Sequence, residues 1–228
     1  MTKVAIELRE CSKIYKSKKL DDVVALNKFS YIFEYGKIYG IMGKSGAGKT
    51  TLLNLISMID DISDGKILID NISVDKLKIS EKALKRNNDI GMIFQNYMLN
   101  EYMNSYENIV LPMLINKNVD RRNRKENVTK LINMVGLPDK LKRYPSELSG
   151  GEKQRIAIAR ALANDPKIIL ADEPTGNLDE ENETYIFKLL RKFAEDGKCV
   201  IVVSHSNIIK KYADIIINIR KGELYVNK

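Results

Sequence analysis

The sequence predicts an α/β fold: a mostly parallel core sheet, with a helical lobe inserted between two of its strands. Three observations carry this. Ile168-Ile169-Leu170-Ala171 and Val200-Ile201-Val202-Val203 are short, wholly apolar runs, as expected of inner parallel strands covered on both faces. Strand-like and helix-like segments alternate along most of the chain, the order that builds parallel sheets. Between about Asn96 and Arg143 the strand signals vanish and helical periodicity replaces them.

Taken in order, Val4 to Leu8 reads as a first strand. Tyr31-Ile32-Phe33 and Gly36 form a turn feeding a buried strand over Lys37 to Met42. A glycine-rich loop follows, then a helix over Thr51 to Ile56. Gly65 to Asp70 alternates like a half-buried strand. Ser80 to Lys85 opens like a capped short helix, and Ile90 to Phe94 is a further buried strand. Within the lobe, Asp120 to Val135 has helical periodicity, and Gly150 to Ala163 is a strong helix. Ile215 to Ile219 and Glu223 to Val226, split by Lys221-Gly222, predict a terminal hairpin.

The 228 residues suit one domain, with 44% hydrophobic and 30% charged residues excluding a disordered or fibrous chain. No apolar run approaches the roughly 18 residues of a membrane-spanning helix, and Met1-Thr2-Lys3-Val4 lacks the apolar stretch of a secretion signal. The net charge of +8 suits any anionic partner. Tryptophan is absent and aromatics are 7%, which argues against stacking platforms for nucleic acid. Cys11 and Cys199 lie in no ligand spacing and read as reduced core thiols of a cytoplasmic protein, and a single histidine speaks against zinc.

Gly43-Lys44-Ser45-Gly46-Ala47-Gly48-Lys49-Thr50 matches the phosphate-loop pattern G-x-x-x-x-G-K-[ST] between a buried strand and a helix. Glycines let successive backbone N–H groups turn inward around an anion, and the helix N-terminus adds its positive end. Lys49 is then placed for β- and γ-phosphates and Thr50 for Mg²⁺. The strand Ile168 to Ala171 ends in Asp172-Glu173 at the sheet edge where ligands bind. Asp172 suits a metal and Glu173 a proton-accepting role toward attacking water. Leu148-Ser149-Gly150-Gly151-Glu152-Lys153-Gln154-Arg155 is a second glycine-rich helix start. It is either a simple N-cap or another anion site, and in the latter case it binds a second anion or serves a nucleotide held by another subunit.

These motifs resemble the ATP-binding cassette (ABC) ATPases over nearly the whole chain, LSGGE-K-Q-R being the most specific. The resemblance implies a single cassette over 1–228, with a core of 1–95 and 164–228, a helical lobe over about 96–163 and an N-terminal antiparallel β subdomain. It implies nucleotide contacts from Gly43 through Thr50 and Thr51, and from Tyr15, whose ring would stack on adenine. Gln95 matches the glutamine that senses Mg²⁺ and the membrane partner, and His205 the histidine at the γ-phosphate. Asn177-Leu178-Asp179 matches the loop that, with Ser149, Gly150 and Gly151, faces the nucleotide of a second copy. ATP and Mg²⁺ are the implied cofactors. The implied partners are an identical subunit and a polytopic permease, at the cytoplasmic face of the membrane, with no nucleic acid.

Ala171 to Asp179 and Glu107-Asn108-Ile109-Val110-Leu111-Pro112 are similar to cassettes of macrolide-export, lipoprotein-release and bacitracin-resistance transporters. Lys44, Met58 and Glu152-Lys153 depart from the residues common there. A soluble cassette ATPase, such as one of iron–sulfur assembly, is the alternative. DNA-repair types need a long insertion, whereas only 99 positions separate Thr50 from Ser149. The basic stretch from Lys117 to Lys130 reads as a solvated helix face. Met98-Leu99, Tyr102 and Met103 are expected either in the core or lining a groove for a permease helix.

Overall fold

The computed structural model describes residues 3–16 and 21–227. Two sheets form its frame. β1 (Val4–Tyr15), β2 (Val23–Glu34), β4 (Asp64–Ile69) and β5 (Ile72–Ser73) make an antiparallel sheet in the order β2-β1-β4-β5. The second sheet has the order β10-β9-β3-β8-β7-β6. Its strands are β3 (Ile38–Met42), β6 (Ile90–Phe94), β7 (Ile168–Asp172), β8 (Cys199–Val203), β9 (Ile215–Arg220) and β10 (Glu223–Asn227). All of its pairings are parallel except β9 with β10.

The inner strands are apolar throughout because both faces are covered. Along β8, Cys199, Ile201 and Val203 enter one core with the antiparallel sheet and helix α1 (Lys49–Ile56). Val200 and Val202 enter the other, with α3 (Ser105–Ile115), α4 (Arg124–Met134), α5 (Gly150–Ala161) and α6 (Glu180–Glu195). β7 divides in the same way, Ile168 and Leu170 against Ile169 and Ala171, the two-residue period of a strand. Helix α2 (Ile79–Asp89) precedes β6, and α3, α4 and α5 all lie between β6 and β7.

Several elements differ from expectation. β1 continues to Tyr15, and the segment before Tyr31 is strand as well. Exposed Val23 and Val24 there give no clean alternation, and pairing with β1 holds them. Helix α2 starts before Ser80, and the Glu81 carboxylate accepts from the Lys78 amide at 2.7 Å in place of a serine cap. Helix α6 was not among the expected elements, although Asp179 caps it and Ile186, Phe187, Leu190, Phe193 and Ala194 repeat at helical spacing into the core. The terminal hairpin forms as expected, with Lys221 and Gly222 both at positive φ (49° and 77°) in its turn. Both cysteines are free and buried, and burial pushes the Cys199 thiol far up.

α5 is seated on β6 at Gly91, where a Cβ would lie 2.6 Å from the carbonyl oxygen of Ala161. Gly91→Ala is therefore expected to cost about 1–3 kcal/mol through overpacking, read by urea unfolding. An unchanged midpoint would show that the helix is not held this close.

Candidate functional site

Hydrogen-bond register brings four strand ends level. Ile41 pairs with Val203, Val203 with Asp172, and Asp172 with Phe94. The residues that follow these strands, from Gly43, His205, Glu173 and Gln95, therefore emerge side by side at the C-terminal edge of the parallel sheet. That edge is where α/β sheets bind ligands.

The glycine-rich loop wraps the N-terminus of α1. Gly48, the N-cap, has φ 105°, and a Cβ there would meet the Ala25 carbonyl oxygen at 2.4 Å, so only glycine fits. The first helical hydrogen bond is donated by Leu52 to Gly48. The amides of Lys49, Thr50 and Thr51 thus have no acceptor within the helix and face an incoming ligand. Lys49 is 7% exposed. Its ammonium donates to the carbonyls of Gly43 at 2.8 Å and Lys44 at 3.1 Å, and stands 3.3 Å from His205 Nε2. The hairpin turn props the loop from behind, Gly222 N–H donating to Ala47 O at 3.3 Å. A cavity of about 800 Å³ opens between Gly43–Ala47, Ser204, His205 and Asn218–Lys221.

Thr50 Oγ1 lies 3.5 Å from Asp172 Oδ1. Burial pushes the Asp172 carboxyl above its ordinary range, against the Thr50 hydroxyl and the Lys49 charge. Glu173 holds a left-handed backbone, φ 48°, fixed by its amide donating to Val203 O at 3.0 Å. Glu173 Oε2 accepts from the His205 amide at 3.1 Å. Oε1, buried and without a hydrogen-bond donor, lies 3.2 Å from His205 Nε2. His205 Nε2 therefore faces a donor and an acceptor at once. Unprotonated it accepts from Lys49; protonated it donates to Glu173. Gln95 is exposed, with its Nε2 2.9 Å from where a Cβ on Gly176 would be.

The other expected residues lie apart from this cluster. Ser149 is the N-cap of α5: its Oγ accepts from Glu152 N at 3.2 Å, and the Glu152 carboxylate accepts from Ser149 N at 2.8 Å. The simple-cap reading of that motif is correct within the chain, and the exposed hydroxyl keeps its proton free to donate outward. Gly150 and Gly151 form the first turn. Asp179 caps α6, accepting from the Asn182 backbone at 2.8 Å, and these amide donors hold its carboxyl below the usual range. Tyr15 ends β1, 41% exposed, its hydroxyl donating to Asp60 at 2.8 Å and Lys13 Nζ standing 4.9 Å from its ring centroid.

A groove of about 550 Å³ runs between α2, β6 and the lobe, lined by Leu84, Met92, Phe94, Met98, Pro112 and Arg160 among others. Of the four residues expected either in the core or lining such a groove, Met98 lines it, Leu99 packs on the core, Tyr102 is 92% exposed and Met103 is half-buried. The sequence reading missed Arg160, whose place depends on a contact 62 residues away in the chain. The basic stretch from Lys117 to Lys130 is largely solvated. No helix among the described residues is long and apolar enough to cross a membrane, and none of them gather as a cluster of three or more metal-binding side chains.

The "ABC transporter" family model matches residues 26–176. The chain is 41% identical over 219 residues to an uncharacterized ABC transporter ATP-binding protein of Methanocaldococcus jannaschii, covering 96% of this chain and 97% of that one. It is 40% identical over 222 residues to the lipoprotein-releasing system ATP-binding protein LolD of Buchnera aphidicola, covering 96% of both. Its fold matches the cassette MJ0796 of M. jannaschii, solved as a dimer in a post-hydrolysis state with ADP and Pi. That match has a TM-score of 0.90 and 36% identity over 98% of each chain. A model match across more than half the chain, and relatives this similar along their whole length, establish that the chain belongs to the ABC transporter family as an ATP-binding cassette.

Proposed function

We propose that this cassette, one domain over 1–228 with its helical lobe at about 96–163, binds ATP with Mg²⁺ between two copies of itself. Hydrolysis there drives a separate permease at the cytoplasmic face of the membrane. The observation that carries the reading is the level row of His205, Asp172, Glu173 and Gln95 at one sheet edge, with the Lys49 ammonium 3.3 Å from His205 Nε2. The lipoprotein-releasing relative supports a transporter subunit over a soluble assembly ATPase. The same resemblance points to a lipoprotein, macrolide or antimicrobial peptide as cargo.

Each side chain has a role its position supports. The amides of the glycine-rich loop and Lys49 neutralise the β- and γ-phosphates. Thr50 and Asp172 are paired hard oxygen donors of the kind Mg²⁺ takes alongside phosphate and water, so the donor set fits that ion, with the Gln95 carbonyl as a third oxygen. When bound, the ion neutralises charge developing on the phosphates. Glu173 Oε1, buried with no donor of its own, is poised to accept a proton from attacking water, and His205 orients toward the γ-phosphoryl group. Tyr15 offers its exposed ring to adenine. Ser149, Gly150, Gly151 and Asp179 lie outside the row and serve the nucleotide of the second copy. The groove at Met98 takes a permease helix.

A site split between copies predicts complementation. Lys49→Ala removes the phosphate-neutralising charge and is expected to lower turnover at least about 100-fold. Ser149→Arg places bulk and charge at the surface meant for the partner's nucleotide, and alone is also expected to be inactive. Mixing the two should restore one working site per mixed dimer, seen as ATPase activity above either parent; mixtures that never exceed their parents would refute the shared site.

Glu173→Gln keeps the shape of the side chain and removes its basicity. Turnover should fall by about 10²–10⁴-fold while ATP binding persists, so the variant should elute as a dimer with ATP and as a monomer with ADP. Wild-type turnover would take the base role from Glu173.

A further inference from the structure

The turn after β6 is strained, and a side chain from another element ties down its two left-handed residues. Tyr97 and Met98, neither of them glycine, both have left-handed backbones, at φ 57° and 52°. Such residues persist only where their surroundings over-determine them. The turn closes when the Tyr97 amide donates to Phe94 O at 3.2 Å, enclosing Gln95 and Asn96. Arg160, in the last turn of α5, supplies the donors for both strained carbonyls. Its Nη2 donates to Tyr97 O at 2.7 Å and its Nη1 to Met98 O. A planar guanidinium presents its donors as a fixed fork, so it holds two successive carbonyls in one orientation with less freedom than an ammonium on its flexible stem.

The turn also touches α5 further up. Gln154 Nε2 donates to Phe94 O at 3.4 Å. A Cβ on Gly150 would lie 3.0 Å from the Tyr97 hydroxyl. The segment holding Gln95 is thus laid along α5 from its glycine-rich start to Arg160. Burial lowers the pKa of the guanidinium, the mark of a cation partly withdrawn from water to make these two bonds.

We propose that Arg160 is a positioning residue for Gln95: its guanidinium holds the left-handed Tyr97-Met98 turn against α5 and so fixes Gln95 beside Gly176 and Glu173. The inference rests on the role given to Gln95 above. Arg160 bonds to the turn through Tyr97 and Met98 and does not line the cavity at the glycine-rich loop.

The test is Arg160→Gln, with hydrogen exchange, ATP binding in Mg²⁺-free buffer and steady-state kinetics measured on the same preparation. Exchange at the amides of residues 95–99 should rise at least about tenfold while the core strands keep their protection. ATP binding without Mg²⁺ should change less than about twofold, and kcat should fall about 10- to 100-fold, the scale of a misplaced group near the chemistry. The Mg²⁺ concentration at half-maximal rate should rise. Glycine adopts positive φ freely, so Met98→Gly added to Arg160→Gln should recover part of kcat and protection, and Arg160→Lys should fall between Gln and wild type. Unchanged exchange and kcat in a folded Arg160→Gln protein would overturn the inference. So would a loss of ATP binding in step with kcat, which marks general damage. If Arg160→Gln does not fold, the same measurements on Arg160→Lys decide the matter: raised exchange with lowered kcat supports the role, and wild-type values overturn it. Gln95→Ala separates the role of Arg160 from that of Gln95. Impaired turnover there, beside a wild-type Arg160→Gln, overturns the role of Arg160 alone; full turnover in Gln95→Ala removes the role of Gln95 and the inference with it.

Discussion

Lys49 is a buried cation that spends its donors on the loop around it. The ammonium is held by the carbonyls of Gly43 and Lys44 and approached by His205, all neutral or weakly basic groups. Burying a charge without an opposite one is costly, and the structure accepts that cost at the mouth of the glycine-rich loop. Around it the amides of Lys49, Thr50 and Thr51 also lack acceptors in the helix, and the positive end of α1 adds to the same field. Every nearby choice then follows from an anion having to complete the site. Gly48 brings the loop against β2, the hairpin turn supports Ala47, and the acids Asp172 and Glu173 stand at the end of β7, beyond β8, rather than paired with the ammonium.

That spacing comes from the sheet. Parallel strands buried on both faces have their register set by two cores at once, because a one-residue slip would exchange every side chain between them. The alternation along β7 and β8 is strict, so the level of their ends is as well fixed as the core itself. The packing energy of apolar residues far from the sheet edge thus determines how the proposed catalytic row is spaced.

Much of this was legible in the sequence, and for a physical reason. β7, β8 and β6 are continuous apolar runs, and the chemistry follows directly at their ends, so a strand and its site residue lie in one short stretch. The glycine-rich loop is local too. What stayed hidden depends on distant partners. The first half of β2 is held by pairing with β1 rather than by a burial pattern. Arg160 looks in sequence like another polar residue of a strong helix, and only the fold puts it against Tyr97 and Met98. Helix α6 carried a readable signal in Asp179 and its apolar stripe, obscured by the acidic first turn that follows a motif-rich loop. For Ser149 and Asp179 a cap does not exclude the proposed role. Each caps its own helix, and each leaves a polar surface facing outward from the chain.

The strained residues explain the remaining step from sheet to site. By alternation, Asp172 shares the face of Leu170, which lies under α1, and its approach to Thr50 follows from that. Continued as strand, Glu173 would turn to the opposite face, toward the core beneath α6. Its left-handed backbone ends the alternation and leaves the carboxylate at the edge, where the His205 amide receives it. The Tyr97-Met98 turn acts in the same way on β6, reversing the chain two residues beyond Gln95. At both strand ends a conformation unfavourable to an ordinary residue converts a buried strand into a functional edge. Both are held by specific bonds, from Val203 and His205 at Glu173 and from Arg160 at the turn, because strain of this kind survives only where the neighbouring structure leaves no cheaper alternative.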